Sequence, residues 1–204
     1  MNYILYWTFV ALASVSILQF VSGCATVPQA PEIPTVTRHE TEKPFASWPN
    51  QEWAKEALAT VRREGLDKLP VSDAKAFCPN GMSERNWVHL MASMVRYESN
   101  FKPATTYKES FKSSSSGDYV ISTGLFQISI SSTRGGYGCV WSGQEDLKNP
   151  IKNIACSGKV LKKLVAQDGR IAGKVGVKWK GAARYWSVLR VDAKTKAHVK
   201  QWCE

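Results

Sequence analysis

The stretch SERNWVHLMASMVRYESNF, residues 83–101, decides the fold that the sequence predicts. Ser83 is a residue type that favours a helix N-terminus, and apolar side chains recur after it every three or four positions. These side chains are Trp87, Leu90, Met91, Met94 and Val95. The spacing therefore predicts a long helix with one face turned into a core.

Glu98 lies on the same helical face, four residues after Met94 and close to the end of the predicted helix. Burial and the negative end of the helix dipole both disfavour an ionised carboxyl group there. We therefore expect a raised pKa for Glu98, which suits a catalytic acid. The alternative is a salt bridge at the helix end, for example with Arg96, and spacing alone favours the salt bridge.

The rest of the chain predicts a mostly α member of the α+β class, with a small β-hairpin beside a cleft. Helices are expected from Asn50 to Gly65, over Leu125–Ser132, from Pro150, and over Trp179–Leu189 and Ala193–Trp202. The helix from Pro150 is expected to turn inward Ile151, Ile154, Ala155, Val160, Leu161 and Leu164. A loop or a β-hairpin is predicted over Thr105–Thr123, and a loop over Pro70–Asn80.

Length and charge limit the classes of function. The chain has 204 residues and a net charge of +10, from 27 basic and 17 acidic side chains. This size suits one domain plus an export segment, and the charge favours an anionic partner. Because no nucleic-acid module or dense basic run occurs, a nucleic-acid partner is not expected.

The N-terminus predicts export. Residues 4–21 are largely apolar, and Val21-Ser22-Gly23-Cys24 follows. This sequence resembles the bacterial lipobox, which implies a signal peptide over 1–23 and lipidation of Cys24. The proline-rich residues 24–49 then form a tether, and the domain spans 50–204. The alternative is an uncleaved transmembrane anchor. Both place the domain outside the cytoplasm. The resemblance to lipoproteins further implies an outer membrane, because Ala25 after the cysteine is not acidic.

Four cysteines remain beyond Cys24, which in an oxidising compartment indicates two disulfides. Three pairings are possible, and we favour Cys139–Cys156 and Cys78–Cys203. A zinc site is the alternative, but the chain has no C-x-x-C pair. His39, His89 and His198 also lack metal-ligand spacing, so neither a metal nor another cofactor is expected.

Four motifs follow in order: YESNFKP (97–103), GLFQI (124–128), NPIKNIACSG (149–158) and AARYW (182–186). They resemble the E-S-x-F-x-P, G-L-M-Q, N-P-x-x-N-I-x-x-G and A-x-x-Y-N signatures of the lytic transglycosylase (SLT) and goose-type lysozyme superfamily. Phe126 replaces the methionine and Trp186 the asparagine. The resemblance covers residues 83–190 and implies a lysozyme-like fold.

The resemblance implies that Glu98 protonates the β-1,4 glycosidic oxygen between N-acetylmuramic acid and N-acetylglucosamine in peptidoglycan. In a lytic transglycosylase the muramyl C6 hydroxyl then closes a 1,6-anhydro ring, and one carboxylate suffices. A hydrolase needs a second carboxylate to direct water, and Asp118 is the candidate. The alternative for Asp118 is an ordinary turn residue.

Substrate-binding roles are implied for four further residues, each with a structural alternative. Ser99 would form a hydrogen bond with Glu98 or with the substrate, and Gln127 would bind the acetamido groups of the sugars. The Tyr185 hydroxyl would keep Glu98 neutral, or the ring would pack in the core. Asn153, also in the matching motifs, is expected to bridge backbone at the cleft. The candidates for stacking on sugar rings are Tyr107, Tyr119, Tyr137 and Trp141.

The sequence therefore predicts an exported, membrane-anchored monomer that cuts peptidoglycan glycan strands, by transglycosylation rather than hydrolysis. The alternatives are a hydrolytic muramidase and a catalytically inactive wall-binding lipoprotein.

Overall fold

A computed structural model describes residues 44–133, 136–190 and 192–204, without the side chains of 192 and 193. The predicted signal peptide, Cys24 and the tether up to residue 43 lie outside the described residues. Within the described ranges, no helix is both long and apolar enough to cross a membrane.

The described chain forms six helices and two antiparallel hairpins. The helices are α1 (Gln51–Glu64), α2 (Ala74–Phe77), α3 (Glu84–Ser99), α4 (Ile130–Thr133), α5 (Pro150–Asp168) and α6 (Asp192–Lys200). The strands are β1 (Thr106–Lys112), β2 (Tyr119–Thr123), β3 (Ala172–Val175) and β4 (Lys178–Gly181). Short 3-10 turns lie at Leu66–Lys68, Gln144–Lys148, Ala182–Arg184 and Ser187–Leu189. The mostly α architecture is the predicted one.

Helix α3 is the centre of the core. The Ser83 hydroxyl caps it by accepting a hydrogen bond from the Asn86 N–H, and Asn100 ends it in the left-handed conformation. All residues from Asn86 to Val95 are buried, so the helix is enclosed on every side rather than along one face. Only its two ends come near the surface, and the last turn carries Glu98.

Helices α1 and α5 pack against each other at a close approach. A Cβ atom on Gly158 of α5 would overlap the methyl group of Thr60 on α1, so glycine is required there. Asn50 and Asn149 cap the two N-termini, and Gly65 and Gly169 end the helices. The predicted bounds of α1 and the start of α5 are confirmed.

The packed domain begins before Asn50, the predicted start. Phe45 and Trp48, which fall in the predicted tether, are 3% and 2% exposed. The Trp48 indole N–H donates to the Val88 carbonyl at 3.1 Å, and the Ser47 hydroxyl lies 2.7 Å from His89 Nδ1. Aromatic burial against α3 therefore draws this segment into the domain.

Four local predictions are wrong. Pro70–Asn80 contains α2, and Leu125–Ser132 is a turn followed by α4. Ile151 is 42% exposed and Ala155 is only half-buried, so neither is a core residue of α5. The predicted helix from Trp179 is strand β4 followed by 3-10 turns, because the Asp168 carboxylate accepts a hydrogen bond from the Gly181 N–H at 2.7 Å and fixes the hairpin end.

Both favoured disulfides are present. Cys78 pairs with Cys203 and ties the segment after α2 to the C-terminus, with Cα atoms 5.5 Å apart. Cys139 pairs with Cys156 and ties the loop before α5 to that helix, with Cα atoms 5.4 Å apart.

Gly124 gives a test of this packing, because it has positive φ and a Cβ there would overlap the Asn153 amide and the Leu147 carbonyl oxygen. We expect Gly124→Ala to lower the free energy of unfolding by about 3 kcal/mol, from backbone strain and overpacking together. Gly117→Ala is the matched control, since Gly117 also has positive φ but nothing lies within 4 Å of the added Cβ. It should cost about 1 kcal/mol. Equal losses in denaturant unfolding would contradict the crowding at Gly124.

Candidate active site

A cleft of about 280 Å³ lies at the exposed end of α3, between the β1–β2 hairpin and the 3-10 turns before α6. The side chains that line it include Glu98, Glu109, Phe111, Ser122, Gln127, Ser129, Ser132, Tyr185 and Arg190. Glu98 is half-buried at its edge and, among the described residues, forms no ion pair. The salt-bridge alternative, with Arg96 or a lysine, therefore does not apply within these residues.

Burial raises the pKa of Glu98 from 4.5 to about 7, and the negative charge of Glu109 adds to the effect. A hydrogen bond with the Val188 backbone and the positive charge of Arg190 act in the opposite direction. Arg190 is fixed in place, because its Nε donates to the Ala183 carbonyl at 2.8 Å. Desolvation outweighs these stabilising contacts, so a large fraction of Glu98 is protonated near neutral pH.

The second carboxylate of the cleft is Glu109, which the sequence analysis missed. It lies on β1, half-buried, and accepts a hydrogen bond of 2.6 Å from the Ser122 hydroxyl on β2. A signal for it exists in the sequence. Within the predicted hairpin, Tyr107, Glu109 and Phe111 alternate with polar residues and therefore share one face of the strand.

Asp118, the predicted second carboxylate, does not lie in the cleft. It is exposed in the connection between β1 and β2, where its carbonyl accepts a hydrogen bond from the Ser113 N–H at 2.8 Å. Gly117 and Asp118 are therefore turn residues of this hairpin.

Ser99 and Asn153 bond to backbone and are not among the cleft-lining side chains. The buried Ser99 hydroxyl donates to the Leu125 carbonyl at 2.9 Å and the Val95 carbonyl at 3.2 Å, rather than to Glu98. The Asn153 amide oxygen accepts from the Phe126 N–H at 2.8 Å. Its nitrogen donates to the carbonyls of Thr123 and Leu147 at 3.1 and 2.9 Å. Both side chains therefore hold the turn that forms the cleft floor.

Gln127 lies in that turn with φ 46° and lines the cleft. Its amide nitrogen donates to the Gly124 carbonyl at 2.8 Å and the Thr105 carbonyl at 3.1 Å. Because the nitrogen is used internally, the amide oxygen is the group that can accept a hydrogen bond from a sugar N–H or hydroxyl.

Tyr185 lines the cleft, but its hydroxyl does not hold Glu98. That oxygen lies 2.7 Å from the Ser132 hydroxyl and accepts a hydrogen bond of 3.3 Å from the Ser129 N–H. Burial raises the pKa of Tyr185, so the hydroxyl stays protonated. Trp186, where the superfamily signature has asparagine, is buried and donates its indole N–H to the Phe126 carbonyl at 2.9 Å.

The aromatic candidates for sugar stacking lie outside the cleft lining. Tyr107, Tyr119, Tyr137 and Trp141 are not among the residues that line it, whereas Phe111 is, with 58% of its surface exposed. Phe111 is therefore the exposed aromatic ring available to a sugar at this edge.

A larger depression of about 700 Å³ lies between α5 and residues 136–138. Two of its lysines already form hydrogen bonds within the protein, since Lys159 and Lys163 donate to the carbonyls of Gly138 and Gly136. Glu64, its carboxylate, lies 3.7 Å from Lys162. Because this carboxylate is ion-paired and Glu98 lies in the smaller cleft, the smaller cleft is the candidate active site. In the described ranges, no group of three metal-ligating side chains occurs.

Comparison with known proteins agrees with the motifs. The family model described as "Transglycosylase SLT domain" matches residues 79–186. The solved structure titled "Bd0314 DslA wild-type form 2" is 40% identical, with a TM-score of 0.66, over 74% of this chain and 87% of that one. Two glutamate-to-glutamine variants of the same protein match at 39% identity, with the same TM-score and coverage. No curated protein sequence matches significantly. The chain belongs to the family of transglycosylase SLT domains, with a lysozyme-like fold.

Proposed function

We propose that this protein cleaves the β-1,4 bond between N-acetylmuramic acid and N-acetylglucosamine in peptidoglycan, with Glu98 as the catalytic acid. The observation that carries the proposal is the burial of Glu98 in an open cleft, which raises its pKa to about 7. An acid with a pKa near the working pH is both protonated and able to release its proton.

In the first step, the Glu98 carboxyl gives its proton to the glycosidic oxygen. The bond from that oxygen to C1 of the muramic acid breaks, and positive charge develops on C1 and the ring oxygen. Glu98 is left as a carboxylate, and the fixed guanidinium of Arg190 and the Val188 backbone favour this ionised form.

For the second step we propose hydrolysis directed by Glu109. Its carboxylate takes a proton from a water molecule while the water oxygen bonds to C1. Support comes from its position in the same cleft, its 2.6 Å hydrogen bond from Ser122 and its electrostatic effect on Glu98. The two substituted glutamates in the similar DslA variants are eleven residues apart, as Glu98 and Glu109 are.

The second candidate is lytic transglycosylation, which the description of the family model favours. There the C6 hydroxyl of the muramic acid bonds to C1 and gives its proton to Glu98. This route needs no second carboxylate, so it leaves Glu109 without a part in the chemistry.

We also propose that the protein works outside the cytoplasm on a lipid anchor at Cys24, in an outer membrane. The support is the sequence of residues 1–24 and the two disulfides, which are typical of oxidising compartments. The lipobox-like sequence also favours a membrane-held enzyme over a freely diffusing one.

Product analysis separates hydrolysis from transglycosylation. With purified sacculi, we expect soluble fragments with reducing ends, read by mass spectrometry as one added water. Glu98→Gln should lower release at least about 1000-fold and Glu109→Gln at least about 100-fold, since each removes a proton-transfer group. Asp118→Asn is the control and should keep wild-type release. Products with 1,6-anhydro ends, together with an active Glu109→Gln variant, would favour transglycosylation. If the wild type released no fragments, the proposal that this protein is an enzyme would be rejected.

The protonation of Glu98 can be tested without activity. The unfolded carboxyl ionises near pH 4.5 and the folded one near 7, so the wild type loses stability as pH rises between these values. Relative to wild type, Glu98→Gln should therefore gain on the order of 3 kcal/mol in free energy of unfolding between pH 4 and pH 8. Denaturant unfolding at both pH values measures the difference, and a pH-independent difference would contradict the raised pKa.

A further inference from the structure

The β1–β2 hairpin has a second face, opposite the catalytic cleft. Strand pairing sets Lys108 against Ile121 and Lys112 against Tyr119. The register shifts between Lys108 and Lys112, but both ammonium groups lie at the Tyr119 ring, and neither lysine lines the cleft that Glu109 lines. We call the cavity on this side the outer hairpin pocket.

The outer hairpin pocket has a volume of about 530 Å³ and combines an aromatic ring, hydroxyl groups and an amide. Its lining includes Ser115, Tyr119, Ile121, Ile130, Ser131 and Gln144. The Gln144 amide nitrogen donates to the Thr123 hydroxyl at 2.7 Å, which leaves the amide oxygen as an acceptor. An aromatic ring beside hydroxyl and amide groups suits a polyhydroxylated ligand.

Two ammonium groups lie at the Tyr119 ring. Lys108 Nζ is 4.2 Å and Lys112 Nζ 5.3 Å from the ring centroid, and the tyrosine is 46% exposed. Neither lysine forms an ion pair with another described residue. Two like charges held near one ring repel each other, and an anionic group bound between them removes that cost.

We propose that the outer hairpin pocket is a second binding site for peptidoglycan, which takes a glycan segment together with a carboxylate of its stem peptide. Tyr119 stacks on a sugar ring, the hydroxyl groups and Gln144 bond to its polar substituents, and Lys108 and Lys112 pair with the carboxylate. The inference rests on the proposed function, because the same hairpin would then hold one strand while its cleft face cuts another.

Retention on sacculi tests the site. The full chain with Glu98→Gln, purified in detergent, is mixed with sacculi, and the bound fraction is measured over a range of salt concentrations. Adding Lys108→Gln and Lys112→Gln should weaken binding about fivefold at low salt and flatten its salt dependence. Tyr119→Ala should weaken binding by a similar factor while leaving the salt dependence in place.

The matched control is the pair Lys174→Gln and Lys178→Gln on the β3–β4 hairpin. It removes the same charge, and Lys174 also lies over an aromatic ring, 5.4 Å from the Trp179 centroid. This pair should bind like the parent. Sacculi with chemically amidated carboxyl groups should bind the parent as weakly as normal sacculi bind the Lys108/Lys112 variant.

Each outcome decides one question. If the Lys108/Lys112 variant is retained as well as its parent, or if both lysine pairs lose binding equally, the proposed binding site in the outer hairpin pocket is wrong. The proposal for the cleft is unaffected by either result. Unchanged binding to amidated sacculi overturns the carboxylate contact. Failure of the proposed function gives a different result, since the wild type would then release no fragments whatever the retention measurements show.

Discussion

The cleft depends on the three hydrogen bonds of the Asn153 side chain. From a fully buried position on α5, this amide holds the Phe126 N–H and the carbonyls of Thr123 and Leu147. Leaving one buried polar group without a partner costs about 1–3 kcal/mol of stability, so the fold strongly favours keeping all three hydrogen bonds. They join the end of the β1–β2 hairpin, the following turn and the segment before α5. Gly124 lies at the crossing because no larger residue fits. One amide thus sets the distance between the hairpin and the helical core.

The acidity of Glu98 is a property of this assembly rather than of its helix alone. A carboxyl group on the last turn of an isolated helix is solvated on most sides, and the dipole changes its pKa only modestly. In the folded chain, burial dominates and Glu109 adds negative charge, while Val188 and Arg190 oppose both. The carboxyl group holds its proton near neutral pH only when the fold buries it and places the hairpin residue Glu109 beside it. Acid strength therefore requires the complete fold.

Local signals in the sequence predicted the helices, because caps and spacing act within a few residues: α3 begins after Ser83 as expected. Contacts between distant residues accounted for most errors. The hairpin end near Gly181 is fixed by Asp168, a contact that helical spacing in 179–189 cannot reveal. In the candidate site, the motif predicted Glu98. Glu109 was not predicted, because it is a single acidic residue in a polar strand. Asp118 was expected from the resemblance to goose-type lysozymes, but it lies in the connection of the hairpin and is a turn residue there.

The register of β1 decides what charge the cleft receives. Lys108 and Glu109 are neighbours in sequence but face opposite sides of the hairpin, so the cleft side receives the carboxylate. A slip of one residue would exchange the two faces and bring an ammonium group towards Glu98. That cation would lower the pKa of the acid and favour loss of its proton. The hydrogen bond from Asn153 to the Thr123 carbonyl fixes the end of β2, and Thr106 pairs with Thr123. The buried amide that positions the cleft floor therefore also keeps the negative face of the hairpin towards Glu98.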